Sequence, residues 1–255
     1  MQTVIIMGSG PGVLAAKNWP KGAAQLVAIN NAWRVRPDWD VLIHPSDFPA
    51  DRHPHQMSKG QKIVSAADYV PIQNALGGFV YAGGTMAFTA AYWSLRALRP
   101  KVLAMVGCDM VYPASGPTHF YGTGTADPLR EDISLRSLEA KSARFMVLAA
   151  RAGCAVVNLS DAPDSRLIYP RATLAGLSAQ RPHAFDPRLT EAALHAEAEL
   201  GYMVPSGKYW KEADRFDPVQ IDRIDAMWLR AAGFRSSLPC GTELSDQPRA
   251  ALRNG

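Results

Sequence analysis

The chain is short of cysteine, of long apolar runs and of charge blocks. Its 255 residues hold three cysteines, Cys108, Cys154 and Cys240, with no metal-ligand spacing. A disulfide framework is therefore excluded as the organising feature, and Cys108 and Cys154, set in apolar strand-like runs, read as reduced buried thiols. No apolar run approaches the length that spans a bilayer. The N-terminus has no basic start and cleavage site, and Gly8 to Gly12 interrupts its apolar stretch, so a cytoplasmic protein is expected. The net charge of +4 is spread along the chain without a Lys/Arg block. That suits a solvated surface or an anionic small ligand, and no nucleic-acid motif accompanies it.

Several catalytic signatures are missing as well. A dinucleotide GxGxxG would need glycine at position 13, where Val13 stands, and there is no GxxxxGK[ST] phosphate loop. GxSxG is absent, so Ser160 and Ser165 lack the setting of a hydrolase nucleophile. His53-Pro54-His55 resembles a metal pair, but its proline keeps it irregular and it reads as a surface turn. No metal site is expected.

What is present is core and punctuation. Hydrophobic residues make up 47% of the chain and charged residues 20%, enough for a sizeable core. Thr3 to Met7 is an apolar run that ends in Gly8-Ser9-Gly10-Pro11-Gly12. A strand feeding such a loop at a helix start can turn backbone N–H groups on an anion, although glycine also serves an ordinary βα turn. Further strands are expected at Gln25–Ile29, Asp40–His44, Lys62–Ser65, Phe79–Tyr81, Lys101–Gly107 and Ala155–Leu159. Helices are expected at Val13–Asn18, at Met86–Arg99 behind a Thr85 cap, and at Ile133–Ala152. Between them, Pro113 to Asp132 is a long Gly/Pro/Ser/Thr-rich stretch of the kind that carries function.

Past Pro170 the strand pattern stops, and Leu189–Leu200 and Val219–Ala232 read as helices. The expected architecture is α/β and Rossmann-like, with a mostly parallel sheet and flanking helices over residues 1–170 and a helical C-terminal extension over 171–255. Asp222 and Asp225 read as a solvated helix face, and Tyr209, Trp210 and Trp228 as packing of the extension or, less simply, as a cover for an acceptor sugar.

Ligands of open α/β sheets bind beyond the carboxyl ends of the strands. The residues expected there are Gly8-Ser9-Gly10, Asn30-Asn31, His44 to Asp47, Gly83-Gly84-Thr85, Gly107-Cys108-Asp109 and Asn158 to Ser160. The set is small, polar and glycine-rich, as a nucleotide pocket would be.

GSGP after the first strand, INNAW after the second, HPSDFP after the third and GGTMAFTAAYWSLRALRPKVLAMVGCDM come in one order. In this the stretch from Val4 to Ser165 resembles the bacterial CMP-sialic-acid sialyltransferases of Rossmann-like type, and is similar to a broader superfamily that includes pterin diphosphokinase-like enzymes. The resemblance implies transfer from a CMP-activated sugar without a metal or other cofactor. It sets Gly8, Ser9 and Gly10 against nucleotide phosphate or ribose, Asn31 by the phosphate or sugar, and Pro45 and Ser46 along the nucleoside. Gly84 and Thr85 would meet the sugar or cytidine, Asp109 would lie at the pocket base, and Tyr112 and Tyr121 would bond the departing phosphate. Ser9 replaces the family's Asn, and Gly84-Thr85 replaces its Ser-Gly. The family's histidine before the Ile133 helix is missing. His119, the sole histidine of the long stretch, is expected to act as base from a shifted position, with Asp109 and Asp127 as alternatives. Two other readings stand beside this one. A diphosphokinase-like phosphotransferase would need Mg²⁺ at Asp47 and Asp109. A nucleotide-binding protein without catalysis would need no base.

Overall fold

Residues 2–113, 115–125 and 127–234 are described in the computed structural model of the chain. Cys240 lies outside them. The apolar runs form β1 (Thr3–Met7), β2 (Gln25–Ile29), β3 (Val41–Ile43), β4 (Lys62–Val64), β5 (Val102–Val106) and β6 (Ala155–Asn158). They pair in parallel throughout, in the order β4-β3-β2-β1-β5-β6. The α/β, Rossmann-like expectation holds. The chain runs outward from β1 to β4, then crosses back to place β5 on the other side of β1. A switch point therefore opens between the carboxyl ends of β1 and β5.

The strands have no polar face because both faces are covered. Val4, Ile6, Val27, Ile29, Leu103 and Met105 point to one core. Their neighbours Ile5, Met7, Leu26, Ala28, Ala104 and Val106 point to the other. The two covers differ. The first face carries the helices α1 (Ala66–Ala75), α2 (Phe79–Ala82), α3 (Met86–Ala97), α4 (Leu138–Arg151), α5 (Pro187–Leu200) and α6 (Pro218–Ala231). The second is closed mainly by short 3-10 turns, which contribute Val13 and Ala16 from Pro11–Asn18, Ala32 and Val35 from Asn30–Val35, and Leu177 from Leu174–Ala179.

Helix ends follow local chemistry. Thr85 caps α3 by accepting from the Phe88 amide. Asp186-Pro187 and Asp217-Pro218 start α5 and α6, with the aspartate as cap and the proline at the first position. Three expectations need correction. Phe79–Tyr81 is not a strand. It is the single helical turn α2, bounded by Gly78 at φ 86° and Gly83 at φ 92°, and it is apolar because Val80, Tyr81 and Ala82 are buried among helices. The tip of Gly83-Gly84-Thr85 is accordingly a junction between two helices and not a strand end. The expected helix Ile133–Ala152 is divided: Ile133–Leu135 is a 3-10 turn, and Ser137 then caps α4 through the Ala140 amide. Asp225 is not on a solvated face, since it is buried against Lys141 Nζ at 2.7 Å. Asp222 remains partly exposed and pairs with Arg136.

Helix α4 is more polar on its buried side than its periodicity suggests, because α5 and α6 supply partners. Arg144 is wholly enclosed, bidentate to Glu197 at 2.7 Å, and it also donates to the Tyr92 hydroxyl and the Leu76 carbonyl. Trp228 Nε1 completes Glu197 at 2.7 Å. The Lys141–Asp225 pair is less well satisfied. Asp225 Oδ2 has no partner among the described residues. Although the 2.7 Å contact to Lys141 favours the charged form, burial outweighs it and raises the Asp225 pKa. A raised folded pKa gives stability that is present below the ordinary carboxylate range and is lost as pH rises through the folded value.

The two pairs should respond differently to substitution. Glu197→Ala strands the Arg144 charge and should cost about 3–5 kcal/mol in chemical denaturation, whereas the double change Lys141→Met with Asp225→Leu should be near neutral. Equal losses in the two variants would contradict this account.

Candidate active site

A cavity of about 1370 Å³ opens over the carboxyl ends of the strands, somewhat larger than a typical small-molecule pocket. Its lining includes Gly8, Ser9, Gly10, Asn31, Pro45, Ser46, Gly84, Thr85, Asp109, Tyr112, His119 and Tyr121. These residues are thus brought to one crevice, whereas His44, Gly83 and Asn158 to Ser160 of the expected strand ends do not line it.

Their roles within it differ. The Gly8 amide donates to Val106 O and the Gly10 amide to Gly107 O, both at 2.8 Å. Those two N–H groups tie the loop to β5 and do not point at a ligand. A Cβ on Gly8 would lie 2.3 Å from Gly107 O and 2.5 Å from Cys108 Sγ, and one on Gly10 would lie 2.8 Å from Gly107 O. The glycines are therefore needed for close backbone approach. Cys108 sits beneath this contact, and burial pushes its thiol pKa up, so it holds no thiolate for nucleophilic work.

Ser9, Asn30 and Asn31 also line the crevice. Ser9 Oγ, Asn30 Oδ1 and Asn31 Oδ1 are buried and have no partner among the described residues. Asn30 also takes φ 51°, a left-handed conformation that asparagine tolerates, to turn the chain off β2. His44 stands behind Pro45, with Nδ1 2.8 Å from the Pro45 carbonyl and its ring against Phe48 and His53. The HPSDFP segment is thereby held rigid, and His53 serves in that packing.

Asp109 braces β5 against β6. Its Oδ1 accepts from Asn158 Nδ2 at 3.0 Å and its Oδ2 from Ser160 Oγ at 2.6 Å. Both oxygens are already engaged, which suits a positioning role better than proton abstraction.

The long polar stretch folds over the crevice. Its Phe120 amide donates to Ser9 O at 3.0 Å, while the Phe120 ring packs on the core beneath the sheet. That anchor carries His119, which exchanges backbone bonds with Gly122 at 2.9 and 3.1 Å. The His119 ring stacks on Tyr121 with centroids 5.0 Å apart, lies 6.0 Å from Tyr112, and has Nδ1 2.8 Å from the Thr118 hydroxyl. The side chain of Asp127, the other alternative base, lies outside the described residues.

A second wall was not legible in the sequence. Asp132 accepts from the Ser134 amide and hydroxyl through Oδ1, and from Tyr209 and Arg130 through Oδ2. Ser134 Oγ in turn accepts from the Gly84 amide at 3.0 Å. Tyr209 belongs to the C-terminal part, 77 residues from Asp132. Burial raises its pKa, so its phenol stays protonated as the donor to Asp132. Gly84 has no room for a side chain, because a Cβ would lie 2.3 Å from Tyr209 Oη. This network seats the N-terminus of α3 in the cavity wall, where the Met86 and Ala87 amides have no intrahelical acceptor.

One D-x-D sequence does occur, Asp38-Trp39-Asp40, but it precedes β3 at the opposite end of the sheet. Asp38 pairs there with Arg36, and Asp40 with Lys21. Among the described residues no group of three His, Cys, Asp or Glu side chains is placed to hold a metal ion, and no helix is long and apolar enough to cross a membrane. Comparison with protein-family models, with curated proteins and with solved structures finds no match.

The glycine contacts give a direct expectation. Gly8→Ala forces the loop away from Gly107 and should lower stability by about 1–3 kcal/mol in urea denaturation, as overpacking does. Unchanged stability would show that the loop yields without cost.

Proposed function

We propose that the crevice binds a nucleotide-activated sugar, CMP-linked as the sequence resemblance implies, and transfers the sugar to a hydroxyl acceptor without a divalent metal. The observation that carries this reading is a cavity over the strand ends large enough for a nucleotide and a sugar together, lined by Ser9, Asn30 and Asn31 and by the N-terminus of α3. Neutral polar side chains and first-turn helix amides in that wall suit a polar, anionic ligand.

In this reading Ser9, Asn30 and Asn31 meet the phosphate or ribose, and Pro45 and Ser46 line the nucleoside. The first-turn amides of α3, with Gly84 and Thr85, face the anionic part of the donor, assisted by the α3 dipole. As the sugar–phosphate C–O bond breaks, its electron pair leaves with the nucleoside monophosphate. Tyr112 and Tyr121 donate to the departing oxygens, which offsets charge without a cation. His119 takes the proton of the acceptor hydroxyl as the new C–O bond forms. Asp109 holds β5 and β6 in register beneath them.

Thermal-shift titration separates this reading from its rivals. CMP should raise the melting temperature equally with and without Mg²⁺, following the saturation expected of a ligand bound only by the folded state. Stabilisation by ATP only when Mg²⁺ is present would favour the diphosphokinase-like phosphotransferase instead, and no response to CMP, UDP, GDP or ATP would remove the nucleotide altogether.

His119→Ala distinguishes a transferase from a binding protein. It should keep the CMP-induced shift while lowering transfer by roughly 10²–10⁴-fold, the usual contribution of a general base. Intact turnover in that variant would move the role elsewhere.

A further inference from the structure

Among the described residues Val111, Tyr121 and Trp210 are large side chains that line the cavity and stay exposed, and Trp210 is the most open of the three. Trp210 lines the cavity and is 61% exposed, while Trp228 is fully buried in the helical layer. The residue before it is firmly held. Tyr209 stacks on Phe79 with centroids 6.2 Å apart and donates to Asp132 at 2.9 Å. Gly207, at φ +73°, lets the backbone pass directly against Phe79 and Val70. The turn Tyr209–Arg215 is thus pinned through one aromatic ring and presents the next at the edge of the crevice. The indole packs edge-on against the Tyr209 ring with centroids 5.5 Å apart, and an aromatic on a pinned backbone has only two torsions to lose when a ligand covers it.

The charges next to it in the chain are positive. Lys208 and Lys211 flank the indole, are exposed and line the cavity. Neither has an ion pair among the described residues. Glu212 is paired with Arg215 at 2.6 Å, and Asp214 does not line the cavity. Asp132, in the adjoining wall, is committed to Arg130, Ser134 and Tyr209.

We propose that Trp210, Lys208 and Lys211 form a saccharide subsite for an acidic acceptor, whose apolar ring face stacks on the indole while its carboxylate or phosphate meets the two lysines. This rests on the transfer reading above for the word acceptor, but the subsite itself can be tested separately.

The test uses the full chain labelled with 5-fluorotryptophan, the Trp210 resonance being assigned by its loss in Trp210→Phe. A glucuronic-acid disaccharide, with CMP present, should move that resonance saturably, and lactose at the same concentration should not. Lys208→Gln with Lys211→Gln should weaken the response about tenfold, the scale of a lost charge-assisted contact, and leave the CMP thermal shift unchanged. Movement to the end point with CMP alone would assign the indole to the nucleotide and overturn the proposal. So would an equal response to lactose, or none to either sugar. A response to the uronic disaccharide in a chain that shows no CMP shift would sustain the subsite and remove the transfer reading.

Discussion

The crevice depends on one close backbone contact, between the loop after β1 and the turn after β5. The two 2.8 Å bonds from Gly8 and Gly10 reach Val106 and Gly107 only because neither glycine has a Cβ. That contact continues the pairing of β1 with β5 past the strand ends, at the switch point where the chain reverses its direction across the sheet. It also sets Ser9 in the cavity wall, with its carbonyl toward Phe120. The long polar stretch is attached at that point, so the placement of His119, Tyr121 and Tyr112 follows from the same contact.

Two carboxylates extend this control outward. Asp109 ties β5 to β6 through Asn158 and Ser160, and Asp132 ties the chain before α4 to the C-terminal turn through Tyr209. Each is surrounded by donors and sits in the wall of the cavity. Aspartates in such a crevice invite assignment as acid, base or metal ligand, but their bonds here define its shape. The neutral polar residues Ser9, Asn30 and Asn31 line the cavity beside them, which suits recognition of a polar ligand more than storage of a reactive charge.

The helical layer shows the same division on a larger scale. Arg144 and Glu197 are buried with every strong bond made, whereas Lys141 and Asp225 are buried with one carboxylate oxygen unanswered. The first pair locks α4, α5 and α1 together. The second places a charge where burial competes with its partner.

The strands and their order of appearance were legible in the sequence because parallel strands covered on both faces leave short, nearly continuous apolar runs between polar tips. The polar tips themselves, from Gly8 to Asp109, were legible for the same reason, since strand ends in such a sheet share one edge. The run Phe79–Tyr81 was misread because a few apolar residues between glycines look alike in a strand and in a buried helical turn. The polarity of Lys141, Arg144 and Asp225 concealed their burial, since partners from other helices, far away in the chain, satisfy them. Local order determined the sheet, the caps and the crevice position, all of which depend on neighbours within a few residues. Only the tertiary structure decided that the glycine amides are spent on β5, that Asp109 is a brace, and that Tyr209 and Trp210 complete the cavity. Those outcomes turn on contacts between segments distant in sequence, and no local pattern encodes which partner will occupy a hydrogen-bonding group.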